Sequence, residues 1–142
     1  MFNPTRAEAR QFLFDAWRKH RDKAILTDLE ALAADHILRH PEYHALLDDP
    51  DGNRDRDWLP EQGETNPFLH LMMHLSISEQ LTIDQPAGIR ERYRALVMKH
   101  GDEHRAMHET MDCLAEMIWT SQRHGSQPDG VAYLTCMEKK AR

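Results

Sequence analysis

Ten histidines stand among 142 residues, and their spacing is the first sign of chemistry. A histidine followed by another four residues later occurs at 36/40, 40/44, 70/74, 100/104 and 104/108. Chance placement would give fewer than one such pair in a chain of this length. On an α-helix, residues i and i+4 lie one above the other on the same face. Two imidazoles so placed can each turn a nitrogen toward one ion. A second helix must then supply the remaining ligands, which is how helical bundles build metal centres.

Two pairs, His70/His74 and His104/His108, fall in uninterrupted helical stretches, and His40/His44 is a third. Pro41 separates His36 from the 40/44 pair, and Gly101 separates His100 from the 104/108 pair. At about 100° per residue, His104 and His108 align with Met107, Met111, Ala115, Ile118 and Trp119, so both are expected to face the core. Asp112, four residues after His108, would extend that pair into a ladder of three ligands. His70 and His74 share a face with Ile77 and Leu81, and His36 with Leu29 and Ala33. The spacing therefore predicts a core metal site drawn from His36, His40, His44, His70, His74, His104, His108 and Asp112. Histidine with carboxylate suits iron, in a mononuclear or dinuclear non-haem centre, zinc, or manganese. Glu109 and Glu116 fall off the apolar face and are expected to be solvated. The competing reading is a metal-free polar network. Each buried ring left without a partner would cost on the order of 1–3 kcal/mol, and a network or a metal can satisfy several at once.

Other chemistries find no motif. The ExxH of ferritin-like di-iron bundles is absent, as is HExxH, since His108-Glu109 runs on into Thr110, Met111 and Asp112. No phosphate-binding glycine loop and no nucleophile elbow occurs. Haem held by a histidine and a methionine would leave the pairing of histidines unexplained. Asp49, Asp51 and Gly52 resemble part of a calcium loop, but aligning Gly52 with the turn glycine puts Leu47 and Trp58 at ligand positions. No reaction is legible.

The elements that must position these side chains are all helical. Asn3 and Pro4 predict the start of a helix running to about residue 20. Thr27 and Glu30 form a capping box before a second helix, which Pro41 ends, with a short helix following to about Leu47. Residues 48–66 are polar and read as one long solvated loop. Asn66-Pro67 starts a helix to about Thr82 that is apolar nearly all round, the mark of a buried element. Further helices are expected over about 87–100, 103–123 and 128–140, punctuated by Gly101, Asp102 and Gly125. The fold class is all-α, a helical bundle with a four-helix core and short accessory helices in a single domain.

Composition bounds the partners. Lys and Arg number 18 against 24 Asp and Glu, a net charge of −6, and the basic residues are scattered. Such a chain lacks the clustered cations that displace counterions from nucleic acid. No apolar run approaches a membrane span, and the residues after Met1 do not form a signal peptide. The two cysteines, Cys113 and Cys136, make no CxxC pair and read as reduced thiols of a cytosolic protein. Eight methionines, among them Met72, Met73, Met107 and Met111, are expected to pack the core.

Several strings carry a resemblance: Met1-Phe2-Asn3-Pro4, Trp17-Arg18-Lys19, His40-Pro41-Glu42-Tyr43-His44, Asn66-Pro67-Phe68-Leu69-His70, Gln80-Leu81-Thr82-Ile83-Asp84-Gln85-Pro86 and Gly101-Asp102-Glu103-His104. Together they resemble the DUF1841 family of small bacterial proteins over almost the whole chain. The resemblance implies a bacterial cytosolic protein and carries over no catalytic residue. A looser analogy is to DinB-like and hemerythrin-like bundles, though the HxxxE pair of hemerythrin is missing. Two further functions remain open beside metal binding. One is a non-enzymatic interaction module with a binding face elsewhere, such as the acidic loop. The other is a bundle that responds to pH through its histidines.

Overall fold

The computed structural model describes residues 5–58 and 66–142. Every regular element among them is helical, and no strand occurs. The chain divides into two compact units, Met1–Leu75 and Ser76–Arg142.

The first unit opens with α1 (Arg6–Arg21) and α2 (Asp28–Leu38). The expected cap at Asn3 and Pro4 lies outside the described residues. Arg6 is the first helical residue described, and Thr5 caps it in a box with Glu8. Thr27 and Glu30 form the predicted box for α2. That helix stops at Leu38. His40 leaves the helical region (φ −126°, ψ 67°), since the ring of a proline excludes helical angles from the residue before it. A 3-10 turn over Pro41–Tyr43 leads directly into α3 (His44–Leu47). The loop expected over residues 48–66 contains one helical turn, α4 (Pro50–Asn53), capped by the Asp49 side chain. The Asn53 amide holds it in place by donating to the carbonyls of Leu46 and Asp49. Residues 59–65 of that loop lie outside the described residues.

α5 (Pro67–Ile83) begins at the predicted proline, with Asn66 Oδ1 accepting from the backbone N–H of Phe68 and Leu69. The core of this unit gathers Leu13, Phe14 and Trp17 of α1, Ala33 and Ile37 of α2, Leu47, and Phe68 and Leu71 of α5. Phe14 meets Phe68 edge to face at 5.4 Å. Each buried Leu, Ile or Phe contributes about 1.5–3 kcal/mol. Lys19 of α1 bonds Glu30 of α2 at 2.8 Å, clamping the two helices beside that core.

In the second unit, α6 (Ile89–His100), α7 (Glu103–His124) and α8 (Gly130–Ala141) pack on one another. Gly101 ends α6 at φ 63°, a conformation that glycine adopts without a Cβ penalty, and Asp102 caps α7 by accepting from His104 N–H. The Tyr133 hydroxyl donates to Gln80 Oε1 at 2.7 Å.

Three expectations need correction here. The buried stripe of α7 is Ala106, Thr110, Met111, Cys113 and Leu114, not the face of His104, Ile118 and Trp119. His104, Ile118 and Trp119 are exposed, and His108 is half-buried. The bond from Cys113 to Cys136 ties that face of α7 to α8, while Ile118 and Trp119 stay on the outside. Second, Cys113 and Cys136 are joined in a disulfide, not held as thiols. The antiparallel return of α8 along α7 brings the cysteines together across 23 residues of sequence, which spacing alone does not reveal. Third, Glu109 is half-buried and hydrogen-bonded to His100, not solvated. No helix among the described residues is long and apolar enough to cross a membrane.

Candidate metal centre

Histidines converge where the end of α2 meets α5. His70 and His74 stand one turn apart on α5 with their rings edge to face, centroids 4.8 Å apart. The ring of His40, at the irregular joint before Pro41, closes on both, with centroids 5.0 Å from His70 and 4.8 Å from His74. The ligand nitrogens of these three all lie within 4.8 Å of one another. A histidine cluster that could hold a metal ion is therefore present.

His40 stands at the break after α2, its φ of −126° and ψ of 67° outside the helical region because Pro41 follows. His40 Nδ1 donates to the His36 carbonyl at 2.7 Å. A carbonyl only accepts, so Nδ1 carries the proton and the lone pair of the neutral ring resides on Nε2. Metal-binding histidines are commonly fixed this way, through a hydrogen bond from the other ring nitrogen.

Nε2 of His70 and Nε2 of His74 are 3.2 Å apart. Zinc–imidazole bonds of 2.0–2.1 Å in a tetrahedral set place two ligand nitrogens about 3.3 Å apart. The pair is already at that spacing, which is also that of a hydrogen bond between one protonated and one unprotonated nitrogen.

His36 adjoins the cluster without joining its ligand atoms, its ring stacked on His74 at 5.0 Å. Burial pushes its pKa down to about 4, against a smaller opposing pull from Asp35, so the ring stays neutral at physiological pH. Tyr43 roofs the site, parallel to His40 at 5.6 Å. Burial first and Glu42 second raise its phenol above the ordinary range. The imidazole of His44 turns elsewhere. Its Nε2 bonds the Ile37 carbonyl at 2.8 Å, and its ring stacks on Trp17 at 4.4 Å.

In the second unit His104 and His108 form an edge-to-face pair with centroids 4.1 Å apart, the contact that i,i+4 spacing predicts. Asp112 is 75% exposed and reaches Lys140 Nζ at 4.0 Å. His100 and Glu109 form a close pair at 2.6 Å that the sequence reading missed, although the nine-residue separation across Gly101 leads from one helix back onto the next.

The family described as "Domain of unknown function (DUF1841)" matches residues 5–139, and the chain belongs to it. No curated protein and no solved structure matches the chain.

Proposed function

We propose that this chain is a metal-binding helical protein, with Nε2 of His40, His70 and His74 as ligands to a transition-metal ion. The observation that carries the reading is the 3.2 Å spacing of the His70 and His74 nitrogens beside a His40 ring whose tautomer is fixed by the His36 carbonyl. Three neutral imidazoles suit zinc and ferrous iron, and manganese where a carboxylate or water is added. His104 and His108 are proposed as a separate pair of ligands within the second unit, on the strength of their spacing and edge-to-face contact. His36 supports the ring of His74. A three-histidine set leaves a position for water or another small ligand, which a bound ion would acidify or polarise.

Metal analysis of untagged protein by plasma mass spectrometry tests this reading, beside an ultraviolet–visible spectrum. Near-stoichiometric iron, zinc or manganese is expected, lost in the His70→Ala/His74→Ala double variant. Protein that contains no metal and takes none up on reconstitution overturns it. The second reading, a non-enzymatic module with a metal-free histidine network, draws on the same His70–His74 contact taken as a hydrogen bond. It expects a melting temperature that chelator does not change.

A further inference from the structure

We propose that a cleft between the first turns of α1 and α5 binds a carboxylate that carries an apolar body, through the guanidinium of Arg10. This site is separate from the histidine cluster and rests on different observations.

Arg10 is 2% exposed, an unusual burial for a residue that keeps its charge. Its Nη1 is spent on the backbone, donating to the carbonyls of Arg54 at 2.9 Å and Arg56 at 2.8 Å. Its flat face lies over Phe68 at 4.6 Å and Trp58 at 5.4 Å. Its Nη2 is enclosed and has no acceptor among the described residues, and no carboxylate among them forms an ion pair with it. Asp57 and Asp55 attract it from beyond ion-pair distance, so its buried charge is only partly offset and a closer anion would stabilise it.

The surroundings add to the demand for an anion. Arg6 stands one turn before Arg10 on α1, a like-charge pair that opposes helix formation. The carboxylate of Asp57 engages Arg6. Arg10 lines a cleft of about 300 Å³ whose other walls include Thr5, Arg6, Asn66, Phe68 and Leu69. Thr5 and Asn66 are the caps of two long helices, so the positive ends of both dipoles meet at this cleft. The remaining wall is largely hydrocarbon from Phe68, Leu69 and Met72. Positive potential at one end and an apolar wall along the rest select a carboxylate on a hydrophobic stem over a compact hydrated ion such as phosphate.

The test uses benzoate, with benzamide as its neutral isostere. Binding is followed by calorimetry and by fluorescence of Trp58, whose ring lies beside the guanidinium. Benzoate is expected to bind the full chain at millimolar concentrations or below, and benzamide at least tenfold more weakly. Arg10→Met should abolish benzoate binding. Should that variant fail to fold, Leu69→Glu serves instead. Leu69 is 57% exposed, so the change is tolerated, and it sets a repelling carboxylate at the cleft. The His70→Ala/His74→Ala variant should bind benzoate unchanged, which separates this cleft from carboxylate binding to a metal. Absence of benzoate binding, equal binding of benzamide, or unaltered binding by Leu69→Glu would overturn the proposal.

Discussion

His40 gives its Nδ1 proton to the carbonyl of His36, one turn earlier, across 2.7 Å. The last turn of α2 thereby fixes the ring that faces α5, so the proposed ligand is oriented before any ion arrives. An ion bound there spends little on ordering the ring, because the backbone has already done so.

Under the proposed function, removal of the metal should therefore destabilise the fold. A ligand that binds only the native chain at a hundred times its dissociation constant adds about 2.7 kcal/mol. Chelator is expected to lower the melting temperature of the purified protein by several degrees, with recovery on adding back the metal found by elemental analysis. The His70→Ala/His74→Ala variant should melt at one temperature with or without chelator.

His44 should behave differently from His40. Its nitrogen is engaged by the Ile37 carbonyl and its ring by Trp17, so His44→Ala is expected to lower stability by about 1–2 kcal/mol while metal content holds. His40→Ala should reduce metal affinity at least tenfold. Equal losses of metal in the two variants would contradict the division of roles.

The Lys19–Glu30 clamp makes a prediction about acid. The hydrogen bond from Lys19 first, and the Thr27 backbone second, hold the Glu30 carboxyl below its ordinary value. A lowered carboxyl pKa in the folded state contributes stability that is complete above the unfolded value. It is lost as pH falls through the folded value. Glu30→Gln keeps the capping bond and removes the charge. It is expected to cost about 1 kcal/mol at neutral pH and to flatten the fall in stability below the ordinary carboxylate range, measured by urea unfolding across pH.

Reduction of Cys113–Cys136 should loosen the second unit. Closing a loop of this length restrains the unfolded chain by about 3 kcal/mol. A Cys113→Ser/Cys136→Ser variant, or the wild type in dithiothreitol, is expected to melt lower, and reductant should have no effect on the variant.

Much of the fold was legible because helix ends are written in short local code. The Thr27/Glu30 box, Asn66-Pro67, Gly101 and Asp102 each satisfy or release backbone groups within a few residues, and their positions need no knowledge of the tertiary fold. The joint before Pro41 was legible for the same reason, and with it the separation of His36 from His40. Contacts between helices were not. The face of α7 was misread because Ile118 and Trp119 look like core, whereas the buried stripe follows Ala106, Thr110 and Cys113, the last bonded to Cys136 far along the chain. Arg10 was missed because an arginine in a polar helix start, here one turn after Arg6, reads as surface. Only the backbone carbonyls of residues 54 and 56, far along the chain, reveal that it is buried.

The bond between Cys113 and Cys136 also spans the turn between α7 and α8. A protease that cuts within residues 125–129 would leave two pieces still linked. The nicked chain would migrate as one species on a non-reducing gel and as two after reduction. In an oxidising setting, a break in that turn would be a wound the molecule could carry without coming apart.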